Sequence, residues 1–475
     1  MTPPGSRNRY PWPGIAVLLA ILLLVALSGS PGSAAYARAL HARQLHLADL
    51  QHAAEAQRAA AIAAQIADKR RRTDAQLLAA ENARRALVGA HWLASWGTSM
   101  QPPVIGSPLS LSGFHNETIR EIVFLTSPGT EVRVLFTNRY GSRPLQIGRA
   151  TVAISAGEGN LRAGSVRLLR FGGHGSVTIP AGAERLSDPV ALPVQALQRL
   201  VVSIYLPDET GPATGHDDAH ETGYVASGSH VRSPTNGPFG STIGSWFYID
   251  AVDVLAPKRY IGAIATLGDS ITAGVHSAWG AWANWPDDLA RRLAAQPGES
   301  MSVINEGIGG NRVLNPAPCC GPSAIDRFAA DVRSLTGVRD VILLEGINDI
   351  SYSGQDDPLT TPHTDVSASQ IIAGDERIIA MAHRAHLRIF GATLLPFGGA
   401  RYWTPAGEAK RDAINQWILT SGAFDGVIDL ATLMADASNP DRLNPTYDSG
   451  DHLHPNDRGY RVIADAISLN LLLHG

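Results

Sequence analysis

The hydrophobic positions change their spacing along the chain, and each change predicts a different kind of structure. An unbroken apolar run of 13 residues, 15–27, follows two arginines near the N-terminus. Such a run is shorter than the ~20 residues of a membrane-spanning helix and is typical of a signal peptide. Small residues follow it, so cleavage after Ala34 or Ala35 fits, and an uncleaved anchor is the alternative. We therefore expect residues 1–35 to be a signal peptide or membrane anchor and the remainder to be exported, either secreted or periplasmic, or held at the membrane by this segment.

The next segment, 36–90, has the composition of a helix. Residues 34–88 contain neither Gly nor Pro and are rich in Ala, Gln, Arg, Leu and Glu, which are strong helix formers. Its large apolar residues are sparse and drift out of a strict heptad, so a coiled coil is not required. The segment predicts an Ala-rich stalk, either one long helix or a helical hairpin.

From about residue 92, short runs of β-branched and aromatic residues alternate with Gly, Pro and Asn turns. Because no helical stretch separates them, these runs predict an antiparallel β-sandwich of jelly-roll type. We expect this domain to span 92–255. Its predicted strands are Thr118–Thr126, Glu131–Thr137, Ala150–Ile154, Val166–Arg170, Ser176–Ile179, Arg199–Tyr205 and Ser245–Val252.

The remaining segment, 258–475, alternates near-continuous apolar strands with helical stretches, which predicts a three-layer α/β domain around a parallel sheet. The predicted strands are Ala263–Leu267, Ser302–Asn305, Asp340–Glu345, Arg388–Leu394 and Gly426–Leu430, and the predicted helices lie at 282–294, 323–334, 367–386, 405–420 and 455–472. Ligands of such sheets bind at the carboxyl ends of the strands. The residues that follow the strands are therefore the candidates for chemistry.

Composition excludes several classes of function. The net charge is −4 and charged residues make up 17% of the chain, so we expect neither a nucleic-acid-binding protein nor a charge-rich disordered one. Only the N-terminal segment is expected to meet a membrane. The two cysteines, Cys319 and Cys320, are too few for a disulfide scaffold or a four-cysteine zinc site. In an oxidising compartment they would either form a vicinal disulfide or remain free thiols.

Residues suited to nucleophilic catalysis occur at both ends of the α/β domain. Ser270 directly follows the first strand, where a turn into a helix would expose its hydroxyl near backbone N–H donors. Asp451 and His454 lie three residues apart near the C-terminus, so that the carboxylate could fix the imidazole tautomer. A metal site formed by Asp451, His452 and His454 is the alternative, but further ligands at the usual spacings are missing from the sequence.

Two other strand ends carry hydrogen-bond donors. The second strand is followed by Gly309 and Gly310, whose amides can approach a ligand closely. This glycine run lacks the Lys-Ser/Thr of a P-loop and the full dinucleotide fingerprint. Asn348 follows the third strand, and a side-chain amide at that point can stabilise an oxyanion.

As a set and in this order, these motifs resemble the SGNH (GDSL-type) hydrolases. The resemblance is carried by Gly268-Asp269-Ser270, Gly309-Gly310-Asn311, Gly346-Ile347-Asn348-Asp349 and Asp451 to His454. A weaker likeness, carried by Trp92 to Gly97 and Ser187-Asp188-Pro189, connects the β-rich domain with a secreted subgroup of that family.

The resemblance implies a serine esterase. Ser270 would be the nucleophile, His454 its general base, and Asp451 the group that orients the base. The implied fold is a five-stranded parallel sheet between helices. The implied activity is hydrolysis of carboxylic esters through an acyl-enzyme on Ser270, with no metal or organic cofactor.

The resemblance also implies an oxyanion hole. Its donors would be the backbone N–H of Ser270, the backbone N–H of Gly310 and the side-chain amide of Asn348. Gly309 is the alternative to Gly310, because two glycines are adjacent in this turn.

Further residues are candidates for the walls of the substrate pocket. They are Asp269, Gly309, Asn311, Trp279 and Trp403, with Tyr402 beside the last of them. Trp279, Trp282 and Trp285 are spaced to share one helix face and to belong mainly to the core. A polar loop of the β-rich domain, His216-Asp217-Asp218 with His220 and Glu221, is interpreted as an ordinary loop, a wall of the cleft or a metal site.

Three functions remain open from the sequence. The first is an exported esterase that removes O-acyl or acetyl groups from carbohydrate, with lipid or aryl esters as alternative substrates. The second is a non-catalytic envelope protein that binds carbohydrate. The third is a glycosidase using Glu345 and Asp349, although no separate acid partner is identifiable. The sequence does not predict an oligomeric state.

Overall fold

The structure of the protein, a computed structural model, describes residues 89–104 and 107–474 together with scattered positions between 41 and 72. The predicted signal peptide or anchor, 1–35, lies outside the described residues, and the predicted stalk, 36–90, is described only at scattered helical positions, so both remain predictions. Among the described residues, no helix has the length and apolar character needed to cross a membrane. The chain divides into two compact units, Met1–Arg85 and Ala86–Gly475. The β-rich and α/β regions both belong to the second unit.

The β-rich region consists mainly of two antiparallel sheets. In the described residues its strands are β1 (His91–Gly97), β2 (Glu117–Phe124), β3 (Gly129–Thr137), β4 (Leu145–Ile147), β5 (Arg149–Gly157), β6 (Asn160–Leu161), β7 (Arg167–Leu168), β8 (Val177–Ile179), β9 (Glu184–Leu186), β10 (Val190–Val194), β11 (Arg199–Leu206), β12 (Gly215–His216), β13 (Gly223–Ser227), β14 (Ser241–Ile243), β15 (Trp246–Phe247) and β16 (Ile249–Ala256). A short helix, α1 (Pro108–Ser112), follows β1.

These strands form one sheet in the order β1-β16-β3-β10, with β9 beside β3, and a second in the order β14-β13-β2-β11-β5-β6, with β7 beside β5. Two small ladders, β4–β8 and β12–β15, complete the region. The central strand β11 pairs with β2 and β5 over almost its whole length, and its residues are nearly all buried. Buried side chains from both large sheets belong to one hydrophobic cluster. The predicted β-rich domain is therefore a pair of antiparallel sheets that share a core.

The α/β region has the predicted parallel sheet. Its strands are β17 (Tyr260–Gly268), β18 (Ser300–Gly307), β19 (Val338–Leu344), β20 (Arg388–Ala392) and β21 (Gly426–Ile428), arranged β18-β17-β19-β20-β21, and a hairpin of β22 (Ala435–Asp436) and β23 (Asn439–Leu443) lies outside the sheet. All four neighbouring pairs in the sheet are parallel. This confirms the five-stranded parallel sheet that the resemblance implied.

The five predicted helices of this region are observed with two differences, and three short α-helices of the described region lie outside the predicted spans. The helices are α2 (Ser270–Ala273), α3 (Trp285–Ala294), α4 (Ala324–Phe328) with a π turn at Ala329–Arg333, α5 (Ile347–Ser351), α6 (Ala368–Arg384), α7 (Pro405–Thr420), α8 (Leu430–Met434), α9 (Asp457–Ala466) and α10 (Leu469–His474), with short 3₁₀ turns at Tyr352–Gly354 and Pro358–Thr360. The single helix predicted at 455–472 is two helices, because Ile467 adopts an extended conformation after α9.

The helix predicted from residue 282 begins instead at Trp285. Trp282 has a positive φ of 55°, which a helix does not allow, and Asn284 is the N-cap, its side chain accepting a hydrogen bond from the Asp287 amide. Trp279 and Trp282 therefore lie in a loop before the helix. The prediction that Trp279, Trp282 and Trp285 share a helix face is wrong.

The parallel register brings the candidate motifs to one edge of the sheet. Gly268, the last residue of β17, is level with Gly307 of β18 and with Leu344 of β19. The segments that leave these three strands contain Ser270, the two adjacent glycines and Asn348. The sheet thus gathers residues that are far apart in sequence.

Strand β1 joins the two regions. It pairs with β16, and the Ala94 carbonyl accepts a hydrogen bond of 2.7 Å from the Ser302 hydroxyl of β18. The Ala94 amide donates to the carbonyl of Thr336, just before β19, at 2.9 Å. The β-rich region is therefore bonded along the edge strand of the parallel sheet.

Candidate active site

Ser270 lies at the turn between β17 and α2, as the sequence predicts. It is the first residue of the helix, and Asp269 is the N-cap, whose carboxylate accepts a 2.9 Å hydrogen bond from the Ile271 amide. The first amides of a helix have no intrahelical acceptor, so the Ser270 N–H is available to a ligand. The sharp turn is tightly packed, since a Cβ on Gly268 would come within 2.5 Å of the Leu344 carbonyl oxygen.

His454 and Asp451 complete a hydrogen-bonded chain with this serine. The His454 Nε2 lies 2.8 Å from the Ser270 Oγ, and the His454 Nδ1 lies 2.6 Å from Asp451 Oδ2. Both contacts are satisfied together when Nδ1 carries the proton, because Nδ1 then donates to the carboxylate and Nε2 accepts from the hydroxyl. The structure thus places three predicted site residues in the geometry of a nucleophile, a base and an orienting acid.

The Asp451 carboxylate is held in its ionised form. Burial alone would raise its pKa, but hydrogen bonds from the His454 ring and from the His454 and Leu453 amides lower the pKa well below the ordinary value. The two amides donate to Oδ1 at 2.8 and 2.9 Å, which leaves Oδ2 for the imidazole.

The predicted position of Pro455 at the start of a helix is wrong, because α9 begins at Asp457 with Asn456 as its N-cap.

Asn348 lies beside the nucleophile turn, at the start of α5. Its side-chain Nδ2 donates one hydrogen bond of 2.9 Å to the Asn311 carbonyl. An amide nitrogen carries two protons, so this bond fixes the side chain and leaves the second N–H for a ligand. Gly346, the N-cap, has a φ of 126°, a value that favours glycine.

The glycine turn after β18 contains the two candidates for the remaining donor, Gly309 and Gly310. Gly310 has a φ of +74°, and a Cβ added there would lie 2.4 Å from the Tyr352 hydroxyl and 2.5 Å from the Cys320 sulfur. Gly309 has open space around the corresponding position. The turn is closed by the Asn311 amide, which donates to the Ile308 carbonyl at 3.1 Å. Glycine is thus required at position 310 but not at 309.

Cys319 and Cys320 form a vicinal disulfide next to this turn. The Cys320 carbonyl accepts a 3.0 Å hydrogen bond from the Asn311 side chain. Of the two outcomes left open by the sequence, the structure contains the disulfide.

Two predicted pocket residues lie beneath the site instead of lining it. Asn311 is 1% exposed, and its side chain donates to the carbonyls of Cys320 and Pro322 while accepting from Arg327. Asp269 is equally buried, and burial raises the pKa of its carboxyl to about 6. Both side chains support the backbone that carries the donors.

The two predicted pocket tryptophans differ in their surroundings. Trp403 is partly buried and donates from its indole nitrogen to Glu408 at 2.8 Å. Trp279 is 53% exposed. Its indole nitrogen donates to the Thr222 hydroxyl of the β-rich region at 2.8 Å, and its ring passes close to Gly244. Trp279 is therefore about half exposed, while the hydrogen bond from its indole nitrogen holds the ring in position.

The polar loop of the β-rich region contacts the loop that carries Trp279. The Gly280 amide donates to the His220 carbonyl at 2.8 Å, and the His220 ring lies 5.9 Å from the Trp279 ring. Other groups of this loop are committed to structural bonds.

Three side chains of the polar loop make these structural bonds. His216 contacts the Ser99 carbonyl at 2.8 Å, Asp217 accepts from the Ser245 hydroxyl at 3.0 Å, and Glu221 accepts from the Trp282 indole at 3.0 Å. Because these side chains are committed to bonds within the fold, the arrangement favours an ordinary loop among the three interpretations left open.

A residue that sequence reasoning missed lies next to the Asp451 carboxylate. The His276 Nε2 is 3.2 Å from Asp451 Oδ2, and its ring centroid is 5.4 Å from that of His454. His276, Asp451 and His454 each have a ligand atom within 4.8 Å of the others. A metal ion there would compete with the His454–Asp451 hydrogen bond, so the observed geometry serves the Ser270–His454–Asp451 chain. His452, a ligand only in the alternative metal site, pairs with Asp448 at 2.6 Å.

The carboxylates considered for glycoside cleavage are not placed for it. Glu345 is 3% exposed and Asp349 is 2% exposed. Both oxygens of Asp349 accept backbone hydrogen bonds, from Val313 at 2.7 Å and from Leu314 at 3.1 Å. The Asp349 side chain therefore stabilises the loop after the glycine turn.

A nucleophile–base–acid chain at the carboxyl edge of a parallel sheet, beside helix and side-chain amide donors, defines the class of serine hydrolases. Residues 266–462 match the GDSL-like Lipase/Acylhydrolase family. The match confirms the resemblance to the SGNH hydrolases, and this part of the chain is a carboxylic ester hydrolase domain. Comparison with curated proteins finds no match.

Solved structures with a similar fold cover slightly less than half of the chain. A GDSL-like lipase from Bacteroides thetaiotaomicron is 17% identical, with 45% of this chain and 89% of that chain covered and a TM-score of 0.35. A member of the lipolytic G-D-S-L family from Veillonella parvula is 17% identical, with 45% and 97% covered and a TM-score of 0.33. A catalytic mutant of an acetylxylan esterase from Geobacillus stearothermophilus is 19% identical, with 44% and 92% covered and a TM-score of 0.34.

Proposed function

We propose that the protein is an exported serine esterase that removes O-acyl groups, acetyl groups foremost, from carbohydrate. The observation that carries the catalytic part is the continuous contact from the Ser270 hydroxyl through the His454 ring to the Asp451 carboxylate. A neutral hydroxyl is a weak nucleophile, and an adjacent base is the usual means of activating it.

The mechanism is derived from this geometry. Ser270 Oγ attacks the ester carbonyl while His454 Nε2 takes its proton, and the resulting imidazolium is stabilised by Asp451. The tetrahedral oxyanion accepts hydrogen bonds from the amides of Ser270 and Gly310 and from the Asn348 side chain. His454 then protonates the leaving alcohol and afterwards activates the water that hydrolyses the acyl-enzyme. Each oxyanion donor of this kind contributes roughly 2.7–4 kcal/mol to the lowering of the barrier.

The exposure of the Trp279 side chain supports carbohydrate as the alcohol part of the substrate. Trp279 lies three residues after His276, which contacts Asp451, in the loop that follows the nucleophile turn. Beside it lie polar groups of the β-rich region, including the Asp218 carboxylate, 3.3 Å from His220. An aromatic face bordered by hydrogen-bonding groups suits a sugar ring, which has both apolar C–H faces and hydroxyls.

Export is proposed from the N-terminal sequence alone. The two arginines, the apolar run at 15–27 and the small residues after it support a signal peptide or an anchor. We propose a substrate outside the cytoplasm and no nucleic-acid partner. Lipid or aryl esters are the alternative substrates.

The function is tested with p-nitrophenyl esters of increasing acyl length alongside acetylated oligosaccharides. We expect hydrolysis of short-chain esters, release of acetate from the oligosaccharides without new reducing ends, and loss of both activities in Ser270→Ala. Preference for long acyl chains with no release of acetate from sugar would contradict the proposed substrate. Undiminished turnover in Ser270→Ala would contradict the mechanism itself.

The role of Trp279 is tested separately. In Trp279→Ala we expect KM for acetylated oligosaccharide to rise, because the stacking surface is lost, while kinetics on p-nitrophenyl acetate change little. An equal effect on both substrates would show that the ring supports the catalytic loop and does not bind sugar.

A further inference from the structure

Arg327 lies beneath the edge of the sheet from which the catalytic groups emerge. It belongs to α4 and is 2% exposed. We propose that Arg327 is a positioning residue that holds the nucleophile turn and the oxyanion loop in register, and that through it the β-rich region supports catalysis.

Its guanidinium bonds to both backbone segments that carry donors. Nη2 donates to the carbonyl of Gly268, two residues before Ser270, at 2.8 Å. Nη1 donates to the carbonyl of Glu306 at 2.7 Å, at the end of β18. Nε donates to the Asn311 side-chain oxygen at 2.8 Å, just after the glycine turn. One rigid group therefore sets the spacing between the nucleophile turn and the glycine turn.

The network extends to the third oxyanion donor. The backbone carbonyl of Asn311 accepts the 2.9 Å hydrogen bond that orients the Asn348 amide. A displacement of Asn311 would therefore move Gly310 and Asn348 together. Because misplacement by about 1 Å can reduce a rate 10²-fold, a residue in this position acts on catalysis without touching substrate.

Only arginine fits this place. Its planar fork presents five N–H donors in fixed directions. Here Nε, Nη1 and Nη2 each donate to an acceptor. The charge is matched by Asp331, whose Oδ2 lies 3.1 Å from Nη1, and the Glu345 carboxyl lies 3.8 Å from Nη2. A lysine would keep a charge but could not reach the three acceptors from one rigid plane.

The same group contacts the β-rich region. Nη1 donates to the Ser99 hydroxyl at 2.7 Å, and Ser99 in turn contacts the Glu306 carboxyl at 2.8 Å. Ser99 lies two residues after the end of strand β1. The guanidinium thus connects that segment with the carboxyl ends of β17 and β18.

The test compares Arg327→Lys with a matched variant at the same interface, which is the contact between the β-rich and α/β regions. Arg139 also contacts Asp331, at 3.2 Å, and its other ion-pair partners are Glu184 and Asp250, so Arg139→Met disturbs the interface without touching the nucleophile turn or the glycine turn. Folding is followed by thermal unfolding, active sites are counted by stoichiometric labelling with a fluorophosphonate, and kcat and KM are measured on p-nitrophenyl acetate.

For Arg327→Lys we expect full labelling stoichiometry, KM close to wild type, and kcat per labelled site reduced by on the order of 10–10². Its affinity for a boronic acid, which forms a tetrahedral adduct on the serine, should fall in proportion. Arg139→Met should lose thermal stability while kcat per labelled site is retained. If Arg327→Lys fails to fold, Asn311→Ala provides the same comparison, because it removes the side-chain oxygen that accepts the hydrogen bond from Nε.

A lower number of labelled sites with normal kcat per site would overturn the proposal, since Arg327 would then only stabilise the fold. An equal loss of kcat in Arg139→Met would overturn it as well. The role of Arg327 rests on the proposed function, and absence of labelling in wild type would contradict that function. The two outcomes above would contradict only the role of Arg327.

Discussion

Asp451 is held ionised and is directed at the base. Its carboxylate receives two backbone amides and the His454 ring, and these hydrogen bonds keep its pKa below the ordinary value. A permanently charged carboxylate fixes one tautomer of the imidazole and stabilises the imidazolium that forms during catalysis.

Asp451→Asn is expected to lower kcat by on the order of 10³–10⁴. An asparagine retains the shape of the carboxylate but presents no charge to the imidazolium. The unfolding temperature should change little, since the Asp451 side chain is 36% exposed. The measurement is the steady-state kinetics of p-nitrophenyl acetate hydrolysis together with thermal unfolding.

The matched control for this variant is Asp448→Asn. Asp448 lies in the same loop and pairs with His452. His452 does not contact Ser270. We expect near-normal kcat there. A loss of kcat as large as that in Asp451→Asn would mean that the acidic residues of this loop serve folding only.

At the scale of the element, the turn after β18 depends on a glycine at position 310. Gly310→Ala would force a Cβ against the Tyr352 hydroxyl and the Cys320 sulfur at a positive φ, so the turn must move and kcat should fall by roughly 10–10². Gly309→Ala has open space at its Cβ and should remain active. Kinetics of the two variants on one ester make the comparison, and equal activity would contradict the described conformation of the turn.

The start of α3 contains a buried acid whose ionisation weakens the fold. Burial raises the pKa of Asp287 to about 7, although the charge of Arg291 and a hydrogen bond from Asn284 lower it. The folded protein therefore holds this proton more tightly than the unfolded chain, whose aspartates have a pKa near 3.9. Stability from this group is present at low pH and is lost as the pH rises to about 7.

Asp287→Asn should remove that loss. The free energy of unfolding of the variant minus that of wild type should grow from about pH 4 to about pH 7, by at most roughly 4 kcal/mol. Above about pH 7 this difference should stay constant. Chemical denaturation at several pH values measures the difference. The control is Asp326→Asn, which replaces an exposed first-turn acid of α4. A difference that does not vary with pH would contradict the assignment.

Elements defined by local sequence could be predicted, and contacts made across the molecule could not. The strands of the parallel sheet follow from apolar runs, and their carboxyl ends locate Ser270 and Asn348 because parallel strands share an edge. The start of α3 was misplaced because a positive φ at Trp282 has no sequence signature.

His276 and Arg327 were missed for a different reason. Their partners lie 175 and 59 residues away, at Asp451 and Gly268, and no local pattern connects such pairs. Strand β1 was likewise not predicted as a strand, although its residues carried the weaker resemblance.

At the scale of the whole molecule, the β-rich region is part of the catalytic structure. Buried side chains from both regions belong to one hydrophobic cluster, and Ser302 and Thr336 bond to β1. Residues Ala86–Gly475 form one compact unit, and this unit contains every residue assigned to the site.

A chain of residues 86–475 is therefore expected to keep the kcat of the full protein, and a chain of residues 258–475 to be insoluble or inactive. Removing the β-rich region would expose the apolar face of β18 and leave the Arg327 network incomplete. Solubility, thermal unfolding and ester hydrolysis of the two truncated chains test this. A fully active 258–475 chain would contradict the dependence on the β-rich region.

The central claim is that Ser270, activated by His454, forms a covalent intermediate. Peptide mapping by mass spectrometry after reaction with a fluorophosphonate measures this directly. A single adduct on Ser270, formed at a much lower rate in His454→Ala, is the expected result. Labelling of another residue, or unlabelled protein that still hydrolyses esters, would contradict the account.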